Sequence, residues 1–329
     1  MTSFGESHGA AMGVVIDGCP AGVDFDLALL KKNLARRRPG QSSVTTARNE
    51  ADEPKILSGV YQNQTLGTPI CIVVENLDQR SQDYDEVEKQ ARIGHADDTW
   101  KKKFGHVDHR GGGRSSGRET LSRVIAGTVA EMLVKKICPE AKLKSFASVI
   151  GPITLPQVER EKIWTLTVDD FVTRFPSPSK EREVVQLLEK AVQSGESYGG
   201  IVETEVVGLP AGLGQPVFRK LKSDLATAMM SIGATTAFEF GAGFDATHSR
   251  GTEFHQQMHS HVYGGIRGGI TTGEPLNFKV GFKPTSSIKD IAKKGRHDPC
   301  IVTRAVPVVE AMTWLVIAEH LLWSRLDRV

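Results

Sequence analysis

The sequence has little of what marks several common protein classes. It has few cysteines for its 329 residues, and none of them forms a C-x-x-C pair (Cys19, Cys71, Cys138 and Cys300). This disfavours a zinc ribbon or a redox dithiol. No signal peptide is recognised and no uninterrupted apolar run approaches 18 residues, so no membrane span is predicted. We therefore expect a cytoplasmic protein with free thiols and no membrane partner.

Excess charge is also lacking, because 41 Lys and Arg oppose 39 Asp and Glu. This balance argues against a nucleic-acid partner. The basic residues are unevenly placed, however, with eight Lys or Arg against four acids between Arg92 and Arg123, which suits a small anionic ligand. The ten histidines include no H-E-x-x-H or compact ligand set, so no metal is predicted. The absence of a G-x-S-x-G motif disfavours a serine hydrolase.

The most informative stretch is HRGGGRSSGRET, from His109 to Thr120. Three consecutive glycines indicate a backbone that turns freely and approaches a ligand closely, rather than one that packs. Ser116 and Glu119 form a capping box, and apolar residues then recur at helical spacing from Leu121 to Leu133. A glycine loop that carries arginines into a helix N-terminus predicts an anion site. The alternative is a flexible surface loop with solvated arginines.

This loop matches neither the Walker pattern nor the G-x-G-x-x-G fingerprint, so the common nucleotide folds are not supported. Two further histidines, His8 and His95, lie in glycine-flanked turns and are suited to proton transfer near neutral pH, or are ordinary turn histidines. Glycines recur from Gly264 to Gly269, and Lys283 to Ser287 offers an ammonium and three hydroxyls. The recurring chemistry fits a phosphorylated substrate, a phosphorylated cofactor, or both.

Two pairs of similar segments, which we call echoes, indicate that the chain has two related halves. IDGCPAGVDFDLALL resembles VVGLPAGLGQPVFRKL, with Pro20 in the first segment and Pro210 in the second. TLGTPICIVVE, at Thr65, resembles TTGEPLNFKV, at Thr271. The two echoes occur in the same order at similar offsets, although proline–glycine turns also recur by chance. Two halves would build a pseudo-symmetric fold with the ligand between them.

Several longer motifs, taken together, are similar to those of the chorismate synthase family, and they run in the family's order from the first residues to about Pro307. They are GESHG at Gly5, RRRPGQS at Arg36, TTxRxExD from Thr45 to Asp52, DQRSQDY at Asp78, GHAD at Gly94, RGGGRSSGRET at Arg110, GGIRGGI at Gly264, KPTSSI at Lys283 and GRHDPC at Gly295.

The resemblance implies an α+β fold: a single large domain over residues 1–329, a β-α-β sandwich with antiparallel sheets around helices and two pseudo-related halves. The implied assembly is a homotetramer. The implied enzyme is a carbon–oxygen lyase of aromatic amino acid biosynthesis. It eliminates phosphate and a C6 hydrogen from 5-enolpyruvylshikimate 3-phosphate in an anti-1,4 sense, giving chorismate, the seventh step of the shikimate pathway. The cofactor is reduced FMN, and NADPH is a possible reductant of the flavin.

The resemblance also implies the site residues. His8 would stand near the leaving phosphate, His95 would protonate or polarise the reduced flavin, and Asp298 would help to remove the C6 proton together with flavin N5. Substrate binding is implied for Ser7, Arg37, Arg48 and Arg110. Cofactor binding is implied for Arg114, Ser115, Ser116, Gly233, Ala234, Gly268, Lys283, Pro284, Thr285, Ser286, Ser287 and Arg296.

The chain departs from the family pattern at Ser43, Gly233 and His261, where many members carry an arginine, an asparagine and an asparagine. These departures bear on single contacts. Two rival functions stay open at this point. One is a phosphate-ligand binding or regulatory protein without catalysis, which the joint presence of His8, His95 and Asp298 disfavours. The other is a flavin-dependent oxidoreductase, which the missing dinucleotide fingerprint disfavours.

Overall fold

The computed structural model describes residues 1–38, 52–76, 94–108, 110–256, 261–286, 288 and 298–328. The strands within them are β1 (Thr2–Gly5), β2 (Ala11–Ile16), β3 (Ala21–Asp24), β4 (Lys55–Ser58), β5 (Val60–Tyr61), β6 (Gln64–Leu66), β7 (Ile70–Glu75), β8 (Lys142–Ile150), β9 (Ile153–Thr154), β10 (Gly200–Val207), β11 (Thr235–Phe240), β12 (Ile266–Arg267), β13 (Ile270–Thr271) and β14 (Leu276–Phe282).

The α-helices in the same residues are α1 (Leu27–Arg37), α2 (Asp97–Phe104), α3 (Thr120–Ile137), α4 (Gln157–Arg160), α5 (Glu181–Ser194), α6 (Leu221–Met230), α7 (Gly251–Phe254) and α8 (Val302–Trp323). Short 3₁₀ turns connect several of them, and one of these, Gly117–Glu119, leads into α3. The loop before it, Arg110–Ser115, has a non-helical backbone at Gly111, Gly112 and Gly113.

Two antiparallel sheets form the outer layers. One has the strand order β1-β2-β7-β4, and the other has the order β11-β14-β10-β8-β9. Alternate residues of β7, β10 and β14 are buried, as expected for strands with one face on a core. A three-stranded sheet, β3-β6-β5, and the hairpin β12-β13 extend this framework.

Helices fill the space between the two large sheets. α3 packs on β2, α8 packs on β8 and β10, and the two helices pack on each other. Their axes approach closely at Gly127, where a β-carbon would lie 2.3 Å from the Cβ of Ala311. α1 contacts both helices. The prediction of an α+β fold with antiparallel sheets around helices is therefore confirmed.

The C-terminal helix is a core element. The segment Val302–Leu326 is long and apolar enough to cross a bilayer by length and composition, but 72% of its most apolar window is buried inside the protein. Buried side chains occur all around α8, which is the pattern of a helix enclosed by protein. Its apolar side chains therefore form part of the protein core.

The two sequence echoes occupy equivalent places in the two large sheets. β2 precedes the first Pro-Ala-Gly turn and pairs antiparallel with β7, and β10 precedes the second turn and pairs antiparallel with β14. In each half, a threonine hydroxyl donates to the carbonyl of the turn proline and accepts from a backbone N–H three residues beyond that proline. The groups are Thr65 with Pro20 (2.6 Å) and Val23 (3.0 Å), and Thr271 with Pro210 (2.8 Å) and Leu213 (2.8 Å).

The helix starts are capped in different ways. Asp26 caps α1, because its Oδ1 accepts from Leu29 N at 2.9 Å. The capping box at Ser116 and Glu119 is wrong. The Ser116 hydroxyl accepts from Arg118 N at 3.3 Å, and the Glu119 carboxylate binds Arg123 Nε instead of turning back. The 3₁₀ turn that precedes α3 moves these two residues out of capping-box register.

Candidate active site

A cavity of about 710 Å³ lies where several element ends meet. Its walls come from the end of α1, the loop and turn before α3, the start of α8, the turn after α6 and the segment after β14. The N-terminus of α2 and the preceding Gly94 to Ala96 lie along its edge. This volume is typical of pockets for small molecules and cofactors.

The glycine loop forms one wall of the cavity and packs tightly on the residues behind it. Gly111, Gly112 and Gly113 all have positive φ, at 61°, 81° and 50°. A β-carbon on Gly111 would lie 2.2 Å from the His8 ring, and one on Gly113 would lie 2.8 Å from Asp108 O. The prediction that these glycines are not there for packing is therefore wrong for Gly111 and Gly113, although Gly111 does line the cavity.

Beneath the cavity, two buried arginines share one carboxylate. Arg37 Nη2 donates to Asp52 Oδ2 at 2.6 Å, and Arg118 Nη1 donates to Asp52 Oδ1 at 2.5 Å. The side chains of Arg37 and Asp52 are each 1% exposed and that of Arg118 is 3% exposed. Arg118 Nε also donates to Asn76 Oδ1 at 3.1 Å, which ties the arginines to the first sheet.

One carboxylate does not balance two guanidinium groups. Burial raises the pKa of Asp52, but Arg37 and Arg118 outweigh that effect and hold it below its usual value of 3.8. Burial, together with the nearby charges of Arg118 and Arg304, outweighs the attraction of Asp52 and lowers the pKa of Arg37 to about 10. Arg37 is thus still a cation at neutral pH, and its Nε and Nη1 have no hydrogen-bond partner among the described residues.

Asp298 and Arg304 form a second charged pair at the cavity. Arg304 Nη1 donates to Asp298 Oδ2 at 2.5 Å, and Arg304 Nε donates to Arg37 O at 3.4 Å. The hydroxyl of Thr285 donates to Asp298 O at 2.9 Å. These bonds hold the Asp298 carboxylate on Arg304 and its backbone on Thr285, in the segment after β14.

The opposite wall of the cavity is formed by the turn after α6 and the segment after β14. Lys283 N donates to Ala234 O at 3.0 Å, and Lys283 Nζ donates to Gly94 O at 2.6 Å. Ala234 has a φ of 67°, in the left-handed region. A β-carbon on Gly233 would meet no atom within 4 Å, so this position is open. The wall therefore offers hydroxyls, an ammonium and an uncrowded turn to a ligand.

Arg114 lies in the cavity wall, but it is also committed to structure. Its Nη1 donates to Gly5 O at 2.8 Å and its Nη2 donates to Ser3 Oγ at 2.6 Å. It thus fixes β1 to the glycine loop, and only part of its donor capacity faces a ligand.

The cavity brings together most of the residues predicted for the site. Those that line it are Arg37, His95, Arg114, Ser115, Ser116, Gly233, Ala234, Lys283, Pro284, Thr285, Ser286 and Asp298. Arg48, Ser287 and Arg296, as well as the departure at Ser43, lie outside the described residues.

Four predicted residues do not line the cavity. Ser7 and His8 are buried behind the glycine loop, where Ser7 Oγ lies 3.1 Å from His8 Nδ1. Arg110 forms a two-point pair with Asp108, with N–O distances of 2.8 Å. Gly268 lies in the turn of the β12-β13 hairpin.

Sequence reasoning missed two charged residues of the site and one ion pair. Asp52 ends the TTxRxExD motif but was assigned no role, and Arg118, one of the arginines expected at the anion site, was not expected to pair with it. Arg304, in the first turn of α8, had no signal beyond its nearness to Asp298. A buried Asp between arginines from distant segments becomes visible only when the fold brings those segments together.

Six cations, as against two acids, line the described part of this cavity (Arg37, Arg114, Arg118, Arg123, Lys283 and Arg304; Glu119 and Asp298). A helix N-terminus adds to the positive field. No group of three or more His, Cys, Asp or Glu suited to a metal occurs in the described residues. The fold and site thus define a class: an α+β protein with a cationic cavity suited to a small anionic molecule.

The comparisons with known proteins narrow this class to one family. The family model described as chorismate synthase matches residues 1–322. A chorismate synthase of Bdellovibrio bacteriovorus is 59% identical over 100% of this chain and 97% of its own length. One from Cytophaga hutchinsonii is 39% identical over 100% of this chain and 97% of its own length.

A solved structure, "Crystal Structure of Chorismate Synthase", superposes with a TM-score of 0.79 at 29% identity, covering 98% of this chain and 91% of that chain. The chain belongs to the chorismate synthase family. It is accordingly an enzyme of the lyase class, and its function is that of a chorismate synthase.

Proposed function

We propose that the enzyme eliminates phosphate from 5-enolpyruvylshikimate 3-phosphate in an anti-1,4 sense, giving chorismate with reduced FMN as cofactor. The observation that carries this proposal is Arg37. Its guanidinium is buried at the cavity, and two of its nitrogens have no hydrogen-bond partner in the described part of the chain. A buried cation without full pairing is costly, and a phosphate or phosphate ester would satisfy it.

The residues of the cavity fit a flavin mononucleotide. Ser115, Ser116 and the α3 N-terminus would hold its phosphate or carbonyl oxygens, and the open turn at Gly233 and Ala234 leaves space for a flat ring. Lys283 to Ser286 would supply further donors. Arg114, Ser287 and Arg296 would complete the set by family resemblance. Gly268 is proposed on resemblance alone, because it lies in the β12-β13 hairpin and not in the cavity wall. When bound, reduced FMN supplies electron density to the departing allylic phosphate.

The chain's own residues would bind the leaving group and handle the proton. Arg37, with Arg118 and Arg304 close by, would bind the phosphate as its bond to carbon breaks, which stabilises the developing negative charge. The C6 hydrogen leaves as a proton, so the reaction is redox-neutral overall. Asp298 would receive that proton at a carboxylate oxygen, and Arg304, bonded to the other oxygen, would fix its direction.

The two histidines have different surroundings and, we propose, different roles. His95 lines the cavity and would exchange a proton with ligands there. His8 is 1% exposed, and its ring lies against Gly111. Together with Ser7, it would act near the phosphate from behind the Gly111 backbone, against which its ring packs. Arg48 and Arg110 remain proposed substrate contacts by resemblance.

Further properties of the enzyme are proposed from the family. They are a single domain over residues 1–329, a homotetramer, a cytoplasmic location and NADPH as a possible reductant of the flavin. The four cysteines are free thiols, which suits a reducing compartment.

An anaerobic assay with chemically reduced FMN tests the proposed reaction. Chorismate and inorganic phosphate should appear in equal amounts, with no net oxidation of the flavin. NADPH should not be consumed in proportion to product, because consumption of that kind would favour the flavin oxidoreductase alternative. Ligand binding without any turnover would favour the non-catalytic alternative.

A further inference from the structure

The end of α1 leaves backbone carbonyls that need donors from outside the helix. The last carbonyls of any α-helix have no partner within it. In α1 they include those of Arg36 and Arg37, and each is met by a guanidinium. Arg174 Nη2 donates to Arg36 O at 2.8 Å, and Arg304 Nε donates to Arg37 O at 3.4 Å. Cations at a helix C-terminus also favour the helix dipole.

The start of α8 also has a backbone carbonyl without a donor from its own helix, because the residue four positions later is a proline. Pro307 lies inside α8 and has no N–H, so it cannot donate to Thr303 O four residues earlier. Arg174 Nη1 donates to Thr303 O at 2.5 Å and replaces the missing helix bond. One guanidinium therefore joins the end of α1 to the first turn of α8.

Both carbonyls immediately precede arginines of the cavity in the chain. Arg36 O adjoins Arg37, and Thr303 O adjoins Arg304. Arg174 itself does not line the cavity. Its two donor nitrogens thus set the distance between the two backbone segments from which Arg37 and Arg304 reach the site.

Further contacts hold the Arg174 guanidinium and backbone in place. Its Nε donates to Asp169 Oδ1 at 2.9 Å, and Asp169 Oδ2 lies 2.7 Å from Arg36 Nε. The Arg174 backbone has a φ of 51° and accepts from Ala147 N at 2.9 Å, which fixes it to β8. The side chain is 9% exposed. Such a rigid, planar set of donors cannot be reproduced by lysine.

We infer that Arg174 is a positioning residue that aligns Arg37 with Arg304 by bridging Arg36 O and Thr303 O. The inference rests on the proposed function in one respect: Arg37 and Arg304 are taken to bind the substrate phosphate. Supporting residues outside a site commonly decide whether its binding groups are held closely enough to act.

The test compares Arg174→Met and Arg174→Lys with the control Arg160→Met. Arg160 also pairs with a partly buried carboxylate, Glu203 at 3.1 Å, but does not line the cavity. At temperatures where all variants are folded, Arg174→Met should raise the KM for 5-enolpyruvylshikimate 3-phosphate by about tenfold or more, the scale of a small misplacement. The KM of Arg174→Lys should lie between those of Arg174→Met and wild type. Arg160→Met should change KM by less than about twofold.

A second variant tests the proline part of the inference. Pro307→Ala returns an N–H to α8, so in the Arg174→Met background it should restore a donor to Thr303 O and lower the KM by about threefold. The same change in the wild-type background should have little effect on KM. If the double variant keeps the KM of Arg174→Met, the bond from Arg174 to Thr303 O does not account for the effect on KM.

A binding readout separates this inference from the proposed reaction. Inorganic phosphate should raise the melting temperature of wild type and Arg160→Met, because it binds the folded state. This shift should be largely lost in Arg174→Met and reduced in Arg174→Lys. If wild type shows the shift but no turnover, and the Arg174 variants lose the shift, the proposed reaction fails and the positioning role stands. If both Arg174 variants keep the phosphate shift, or keep wild-type KM, the positioning role is wrong.

Discussion

At the residue scale, Asp52 accepts bonds from both buried arginines, so its removal would leave two cations without their counter-ion. We expect Asp52→Asn to lower the free energy of unfolding at pH 7 by about 3–5 kcal/mol, the usual cost of breaking a buried ion pair. Urea denaturation measures this loss. Glu53→Gln is the control, because Glu53 forms only an exposed pair with Lys31, and it should cost less than about 1 kcal/mol.

The same carboxylate predicts a pH dependence. Because the folded-state pKa of Asp52 is lowered, its stabilisation is complete above the unfolded-state value and is lost as pH falls through the folded-state value. The difference between wild type and Asp52→Asn should therefore be constant near neutrality and shrink only below about pH 3.8. A difference that disappears between pH 5 and pH 7 would contradict this account of Asp52.

Asp298 offers a second prediction at this scale. Asp298→Asn keeps an oxygen for Arg304 but removes the charge and the basic site, so FMN and substrate should still bind while turnover falls by about 10²-fold. A substrate deuterated at C6 should show a larger isotope effect in the variant. Asp24→Asn, which alters an exposed pair with Lys136, serves as the control. Normal turnover in Asp298→Asn would remove this carboxylate from proton transfer.

Some single residues could be placed at the cavity from the sequence because their motifs are distinctive. Arg37, Arg114 and Asp298 stand in recognisable motifs and line the cavity, while their roles there stay predictions. Asp52 could not be placed in this way, because it pairs with Arg37 and Arg118 from two other segments. Arg304 could not, because its contact with Arg37 O joins residues 267 apart in the chain. His8 shows a different difficulty: its glycine-flanked position suggested contact with a ligand, but the fold covers it with Gly111.

At the element scale, the glycine loop depends on close approach as well as on conformation. Gly111→Ala would combine a φ of 61° with a Cβ only 2.2 Å from the His8 ring. Gly105→Ala is the matched control, because its φ is 74° but a β-carbon there would meet no atom within 4 Å. The control should cost about 1–2 kcal/mol of unfolding free energy from backbone strain alone. Gly111→Ala should cost clearly more and weaken FMN binding; equal costs would contradict the packing role of the loop.

The position of α3 followed from periodicity. The spacing of apolar residues from Leu121 to Leu133 predicted this helix, which the structure shows over Thr120–Ile137. The start of the helix was predicted less accurately. The capping box failed because the 3₁₀ turn Gly117–Glu119 precedes α3, so that the α-helix begins only at Thr120. The residue types of the motif do not reveal this shift.

At the scale of the whole molecule, the two halves repeat one turn closure. Thr65→Val and Thr271→Val should each leave a proline carbonyl and a backbone N–H without their threonine partner, at about 1–3 kcal/mol of unfolding free energy. The two turns share no partner, so the costs in the double variant should add. Denaturant unfolding of the two single variants and the double variant measures this. A large cost at only one threonine would show that the halves are alike in geometry but not in energetics.

The overall arrangement was predictable in part. The internal echoes indicated two halves, and the structure places the echoed strands as neighbours in each large sheet. The site between element ends could not be derived in detail, because the cavity is shaped by the ends of α1, α3 and α8, whose relative placement depends on long-range contacts such as those of Arg174 and Arg304.

The central claim is that the cationic cavity around Arg37 is where phosphate is eliminated. The most direct measurement is the anaerobic rate of chorismate formation by Arg37→Ala with chemically reduced FMN, compared with wild type and Arg160→Met. Removing a preorganised donor to the leaving group should lower the rate by about 10²–10³-fold, while the variant remains folded because Asp52 keeps its bond to Arg118. The control should keep the wild-type rate. A folded Arg37→Ala enzyme that forms chorismate at the wild-type rate would contradict the account.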